Sequence, residues 1–341
     1  MGKFSEKVSN NQAGALLYGI TPPKKSTEEE KMLALAARRT ERINSLGVDA
    51  LVVYDIQDES TRNGEERPFE YFPTHDPLTY TERYQQEITC EKIIYQVVGK
   101  YEKGEFARRL ARAQRSKYLS VFVGAASKDQ PARVRLPEAY ELWGSAPEKS
   151  LLGGVVIPER HNSKNNEHVR ILEKQASGCS FFISQCICNI EMVKDFISDY
   201  CFAVDDQGLE RKYFVFTLSI CGTVETLRLM NWLGINIPRW MQNDLVRSRD
   251  IIQESISQNL KIVAELKEYC TEKHLNYGFN VESISPKKSE VEATVALLSE
   301  IKRIIETGAP QGGRCKWSAR IKKQPCGNAG LFYLIVWNAI Y

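Results

Sequence analysis

No CxxC motif occurs in the 341 residues, and the nine cysteines, an odd number, fall singly through apolar segments. That pattern excludes a zinc ribbon, and it is not that of a disulfide scaffold. The start, MGKFSEKVSN, lacks the apolar core of a secretion signal, so a reducing, cytoplasmic setting is expected. No apolar run reaches the roughly 20 residues that span a bilayer. The segment 331–340 is too short, and no membrane partner is expected. A GxGxxG fingerprint is also missing: the first apolar strand runs into Ile20, Thr21, Pro22, Pro23 and Lys24. An open, doubly wound sheet built to bind a dinucleotide would normally carry that fingerprint there. No linker or low-complexity tract divides residues 13–307, which therefore read as one domain. Acids are absent from 309–341, where Arg314, Lys316, Arg320, Lys322 and Lys323 stand. The net charge of +3 thus leaves −2 over the rest, giving no electrostatic reason to expect nucleic acid.

Against these absences stands an ordinary globular composition, 43% hydrophobic and 26% charged. The stretch 151–189 shows the repeating unit most clearly. It reads as a buried strand, a polar loop carrying Glu159, Arg160 and His161, an amphipathic helix over 165–176, a turn at Gly178 and a second buried strand ending at Gln185. Both strands are continuous apolar runs, which suits a parallel sheet covered on both faces. Eight such strands are expected, over 15–20, 50–54, 92–98, 119–123, 153–157, 181–185, 213–218 and 277–281, each followed by a helical pattern. Eight alternations of strand and helix predict an α/β fold, a (β/α)8 TIM barrel, with an open doubly wound sheet as the competitor. Residues 1–12 are an N-terminal extension, and 308–341 a basic tail outside the barrel. A long loop follows strand 2, from Asp55 to Pro77, and an extra helix precedes strand 8. Pro238 and Trp240 read as a packed elbow orienting that helix.

In a parallel barrel, chemistry is built past the C-terminal strand ends. Collected there are the candidate acids Asp55, Asp58, Glu59, Glu159 and Glu282, together with Arg62, His161, Ser219, Ser283 and the amides Gln185 and Asn280. Each has a plainer alternative. Asp58, Glu59 and Arg62 would serve equally as surface ion pairs, His161 as a hydrogen-bonded structural histidine, and Lys174 as a cation satisfying its helix dipole. Gly124 and Ala125 form a small-residue turn that lets backbone approach a ligand, or simply packs tightly. Cys186 and Cys188 read as a buried or boundary thiol pair, and no metal site is expected. His75, His168 and His274 read as surface residues.

At these residues the chain resembles the catalytic barrel of the 5,10-methylenetetrahydrofolate reductases, over residues 13–306. The landmarks are ITPPK at 20–24, IPERH at 157–161, GCSFFISQ at 178–185 and IPRW at 237–240. The resemblance implies FAD as cofactor, NAD(P)H as electron donor and a folate as substrate, within tetrahydrofolate interconversion and methionine supply. It puts His161 and Lys174 against the flavin's nucleotide portion, Gly124 and Ala125 near the flavin, and Gln185, with Asn280 among the strand-end amides, on the folate side. The departures are specific. Gly19 stands where the family carries its first-strand glutamate, Ala125 where it carries an aspartate, Glu282 or Ser283 where an arginine follows strand 8, and Leu229 where a phenylalanine stacks on the nicotinamide. If protonation is retained, one of the five candidate acids supplies it from another strand.

Three readings follow: a flavin-dependent oxidoreductase, a flavin-free folate-dependent one-carbon transferase or demethylase, and a non-catalytic folate- or partner-binding barrel. The sequence leaves room for a homo-oligomer.

Overall fold

The structure is a computed structural model, described here over residues 3–57, 65–124, 132–147, 149–164 and 166–307. Eight strands close into one all-parallel barrel in sequence order. They are β1 (Ala15–Ile20), β2 (Ala50–Val53), β3 (Glu91–Val97), β4 (Leu119–Val123), β5 (Leu152–Val156), β6 (Cys179–Cys186), β7 (Tyr213–Ser219) and β8 (Tyr277–Glu282). Closure is made by β1 pairing with β8, Gly19 opposite Glu282 and Leu17 opposite Asn280. The open-sheet competitor is thereby excluded.

In chain order the helices are α1 (Phe4–Ser9), α2 (Glu29–Leu46), α3 (Pro77–Tyr84), α4 (Lys103–Arg115), α5 (Leu136–Gly144), α6 (Pro158–Lys164), α7 (Glu167–Ala176), α8 (Ile190–Asp206), α9 (Val224–Trp232), α10 (Arg239–Arg247), α11 (Ile251–Glu272) and α12 (Lys288–Thr307). Local chemistry sets several of their ends. Gly47 closes α2 in the left-handed region, at φ 62°. Asp76 caps α3 by accepting from the Thr79 N–H, with Pro77 in the first turn.

Alternation along each strand divides the core in two. Outward residues such as Phe182, Phe214 and Phe279 pack beneath the helices, where Phe196 and Tyr200 of α8 meet Phe214. Inward residues, among them Ala15, Leu17, Ala50, Val52, Ile93, Val121, Ile183 and Val215, fill the lower barrel. Its floor is closed by α1. Phe4 is fully buried and sets its ring edge-on to Phe181, 5.0 Å between centroids. Phe4 and Val8 of the expected extension are thus part of the barrel core. Gly153 makes room for this arrangement, since a Cβ there would lie 2.4 Å from the Phe181 ring.

The structure differs from the sequence expectations at three places. Residues 159–161 are not in a loop: they lie in α6, which Pro158 opens, because proline is well suited to a first helical position. The helix expected over 165–176 is therefore the second of two, α7. The elbow before α11 is itself helical, as α10, and is anchored by buried Met241 and Leu245, while Trp240 is exposed. His75 and His168 are half-buried, not surface residues. The basic tail lies outside the described residues.

Candidate active site

The barrel interior changes character from floor to mouth. Following the inward positions upward, Leu17 gives way to Gly19, Val52 to Tyr54, Ile93 to Tyr95, Val215 to Thr217, and Gly278 to Asn280 and Glu282. The mouth is therefore lined by hydroxyl, amide and carboxyl groups above an apolar plug. In this fold that end carries the chemistry.

These groups form a connected array. Asn280 Nδ2 donates to the Tyr54 hydroxyl at 2.7 Å and lies 3.3 Å from Thr217 Oγ1. The Tyr54 hydroxyl is in turn hydrogen-bonded to Glu282. Burial pushes the Glu282 carboxyl up to about 7, partly offset by that hydrogen bond. Burial and the nearby Glu282 push both Tyr54 and Tyr95 far above the usual phenol range, so both remain neutral donors. The two rings meet edge to face at 4.8 Å. Two polar atoms in this layer, Asn280 Oδ1 and Ser219 Oγ, are buried and have no hydrogen-bond partner among the described residues. Buried polar atoms rarely stay unpaired, so such a pair at a barrel mouth is what a ligand's polar edge would complete.

Gly19 follows from the same packing. A Cβ at that position would lie 2.8 Å from the Tyr54 ring and 3.0 Å from Glu282 Cβ. The space beside Gly19 is filled by Tyr54, and a carboxyl, Glu282, comes from the adjacent strand β8.

The other candidates are placed as follows. Asp55 accepts from the Val97 N–H at 2.9 Å and pairs with Lys100, so it fastens the end of β3 although burial raises its pKa. Glu159 lies in the first turn of α6. Its Oε2 is buried without a partner among the described residues, and burial, with Glu167 nearby, pushes the carboxyl up to about 7. Asp58, Glu59, Arg62 and Ala125 lie outside the described residues. Gly124 follows β4, and its carbonyl accepts from Gln57 Nε2 at 3.4 Å. Gln185 is half-buried, its Nε2 donating to the Leu233 carbonyl at 3.2 Å. His161 turns into the cleft between α6, α7 and α8, with Nε2 3.0 Å from Asp199 Oδ2. Lys174 extends from α7 to the Val155 carbonyl, and burial lowers its pKa. Among the described cysteines all are free, and Cys186 is hydrogen-bonded to Cys188.

Tyr54 and Tyr95 were not among the sequence candidates. The signal was present: Tyr54 continues the inward set Ala50, Val52, and its period of two places it on the barrel lumen.

Comparison with known structures bears on this geometry. An uncharacterized protein from Clostridium thermocellum is 42% identical, aligning over 88% of this chain and 98% of that one with a TM-score of 0.78. The chain belongs to the same family as that protein. That relative binds two copies of 5-methyl-5,6,7,8-tetrahydrofolic acid. More remote likenesses include 2,3-dimethylmalate lyase, a PEP mutase/isocitrate lyase superfamily member, at 11% identity and TM-score 0.45, covering 92% of this chain and 90% of that one. A psychrophilic glycoside hydrolase family 10 xylanase stands at 11% and 0.47, covering 87% and 99%. No family model matches the chain, and no curated protein sequence matches it. Among the described residues, no helix is long and apolar enough to cross a membrane.

Proposed function

We propose that this protein binds a reduced folate of the 5-methyltetrahydrofolate type at the barrel mouth and acts on its one-carbon unit. The observation that carries the reading is the half-buried Glu282–Tyr54 pair at the mouth of a barrel whose 42%-identical relative binds that folate. The chemistry is consistent. Moving a carbon from N5 or N10 of a folate to a nucleophilic second substrate forms a bond to that nucleophile, breaks the C–N bond and requires a proton on the departing amine nitrogen. A carboxyl with a pKa of about 7 is half protonated at neutral pH and can both give and take that proton. Tyr54 orients it, while Asn280 Oδ1 and Ser219 Oγ supply an acceptor and a hydroxyl for the pterin's amide edge.

Within this reading, flavin-free one-carbon transfer takes precedence. FAD would supply a hydride carrier fed by NAD(P)H, but the residues implied for its nucleotide portion do not fit that role here. His161 is paired with Asp199, and Lys174 is committed to the Val155 carbonyl beneath β5. Flavin-dependent reduction is the second reading, favoured by Glu282 lying beside the first-strand position where the reductases carry their acid.

Two measurements test the proposal. Calorimetric titration with 5-methyltetrahydrofolate should give saturable binding that Asn280→Ala weakens by about tenfold, on the scale of one lost hydrogen bond. No binding would overturn the folate assignment. An absorbance spectrum after loading with FAD and removing the excess should show no flavin bands. Retained bands would bring the oxidoreductase reading forward.

A further inference from the structure

Away from the mouth, one cluster of side chains has ligand chemistry that the folate reading does not use. His161 on α6, His168 on α7 and Asp199 on α8 each offer one ligand atom, and the three atoms lie within 4.8 Å of one another. His161 is 2% exposed, and its ring stands edge-on to that of His168 at 5.2 Å. An ordinary His–Asp pair accounts for the 3.0 Å contact between His161 Nε2 and Asp199 Oδ2. It leaves unexplained the Nδ1 atoms of His161 and His168, both buried and both without a hydrogen-bond partner among the described residues. Both histidines of the cluster thus keep a buried ring nitrogen that asks for a partner, because buried polar atoms are nearly always satisfied. Two imidazoles and one carboxylate form a donor set that zinc accepts. The Asp199 side chain is 43% exposed, which opens the cluster to solvent and gives an ion its way in.

We propose that His161, His168 and Asp199 form a Zn2+ site of three protein ligands, completed by water, on the outer flank of the barrel. The ligands come from three successive helices, so the ion ties α6 and α7 to α8. Because α6 carries Glu159 in its first turn, the same tie holds that buried carboxyl in place at the end of β5. The site is invisible to motif reading because residues 161, 168 and 199 converge only when the helices pack. It does not depend on the folate assignment.

The test uses the full chain, stripped with a chelator and titrated with Zn2+ by calorimetry, and with Co2+ by its visible absorption. His168→Gln and Asp199→Asn are the informative variants, since both residues are only half-buried and the fold should survive, as circular dichroism would check. The expected result is one tight equivalent in the wild type, a rise in Tm on adding Zn2+, and both effects weakened by at least about 100-fold in affinity in either variant. Equal binding by wild type and variants, as the nine cysteines could produce, would overturn the proposal. So would the absence of a one-equivalent site.

Discussion

Glu282 stands in register with Gly19 across the β1–β8 pair, and a Cβ built on Gly19 would lie 3.0 Å from that of Glu282. The carboxyl and the glycine share one place at the barrel mouth, with Tyr54 filling the space the glycine leaves.

That packing predicts that Gly19→Ala destabilises the barrel by roughly 1–3 kcal/mol, because the new methyl meets the Tyr54 ring at 2.8 Å. Removing the ring in the same chain, as Gly19→Ala with Tyr54→Ala, should recover part of the loss from Gly19→Ala. Urea unfolding of both singles and the double measures it. Additive losses would show that the two side chains do not compete for space.

The raised pKa of Glu282 sets a pH dependence with a definite sign. The folded protein holds this proton up to about pH 7, whereas the unfolded chain releases it near 4.5. Below 4.5 both states are protonated and burial carries no charge penalty. As pH rises from 4.5 to 7, stability falls, and above 7 the penalty is complete. Glu282→Gln should therefore gain on the wild type across that window, by an amount on the order of 2–3 kcal/mol. Glu159, pushed up to about 7 as well, adds a slope of the same sign that the single variant retains. Denaturant melts from pH 4 to 8 read the difference. A variant that tracks the wild type at every pH would rule out a poorly solvated, protonated Glu282.

Tyr54→Phe removes the hydroxyl that hydrogen-bonds Glu282 and holds its pKa down. The apparent pKa of Glu282 should then move further up, and with it the midpoint of any pH dependence in folate binding. Carboxyl infrared bands, or binding titrations across pH, would detect the shift. A downward shift would contradict the geometry of the pair.

The floor of the barrel depends on α1. Phe4→Ala should cost about 3–5 kcal/mol, the range for a fully buried aromatic, and should be felt in thermal unfolding although the residue lies near the chain start. An effect below about 1 kcal/mol would mean that the helix lies loosely over the floor.

Much of this architecture was legible beforehand. Strands over 15–20 and 119–123 have the expected bounds, and the rest lie close to them, because parallel strands buried on both faces leave continuous apolar runs. Glu282 and Asn280 were named because they close the eighth run. The helix at 158–164 was missed because a seven-residue polar helix has no apolar period to read. Tyr54 was passed over because its role depends on Gly19, Asn280 and Glu282, which lie far from it in the chain.

What the sequence determined by itself is the repeat of strand and helix, a glycine near the end of the first strand and the set of polar residues at the strand ends, since these are local patterns of side-chain size and polarity. Only the tertiary structure decided which of those residues meet. Closing the barrel between β1 and β8 puts Glu282 beside Gly19 under the Tyr54 hydroxyl, while helix packing draws His161 and Lys174 to Asp199 and the Val155 carbonyl. Partial burial then supplies what no linear pattern encodes, a carboxyl pushed up to about 7 because its charge is poorly solvated at the barrel mouth.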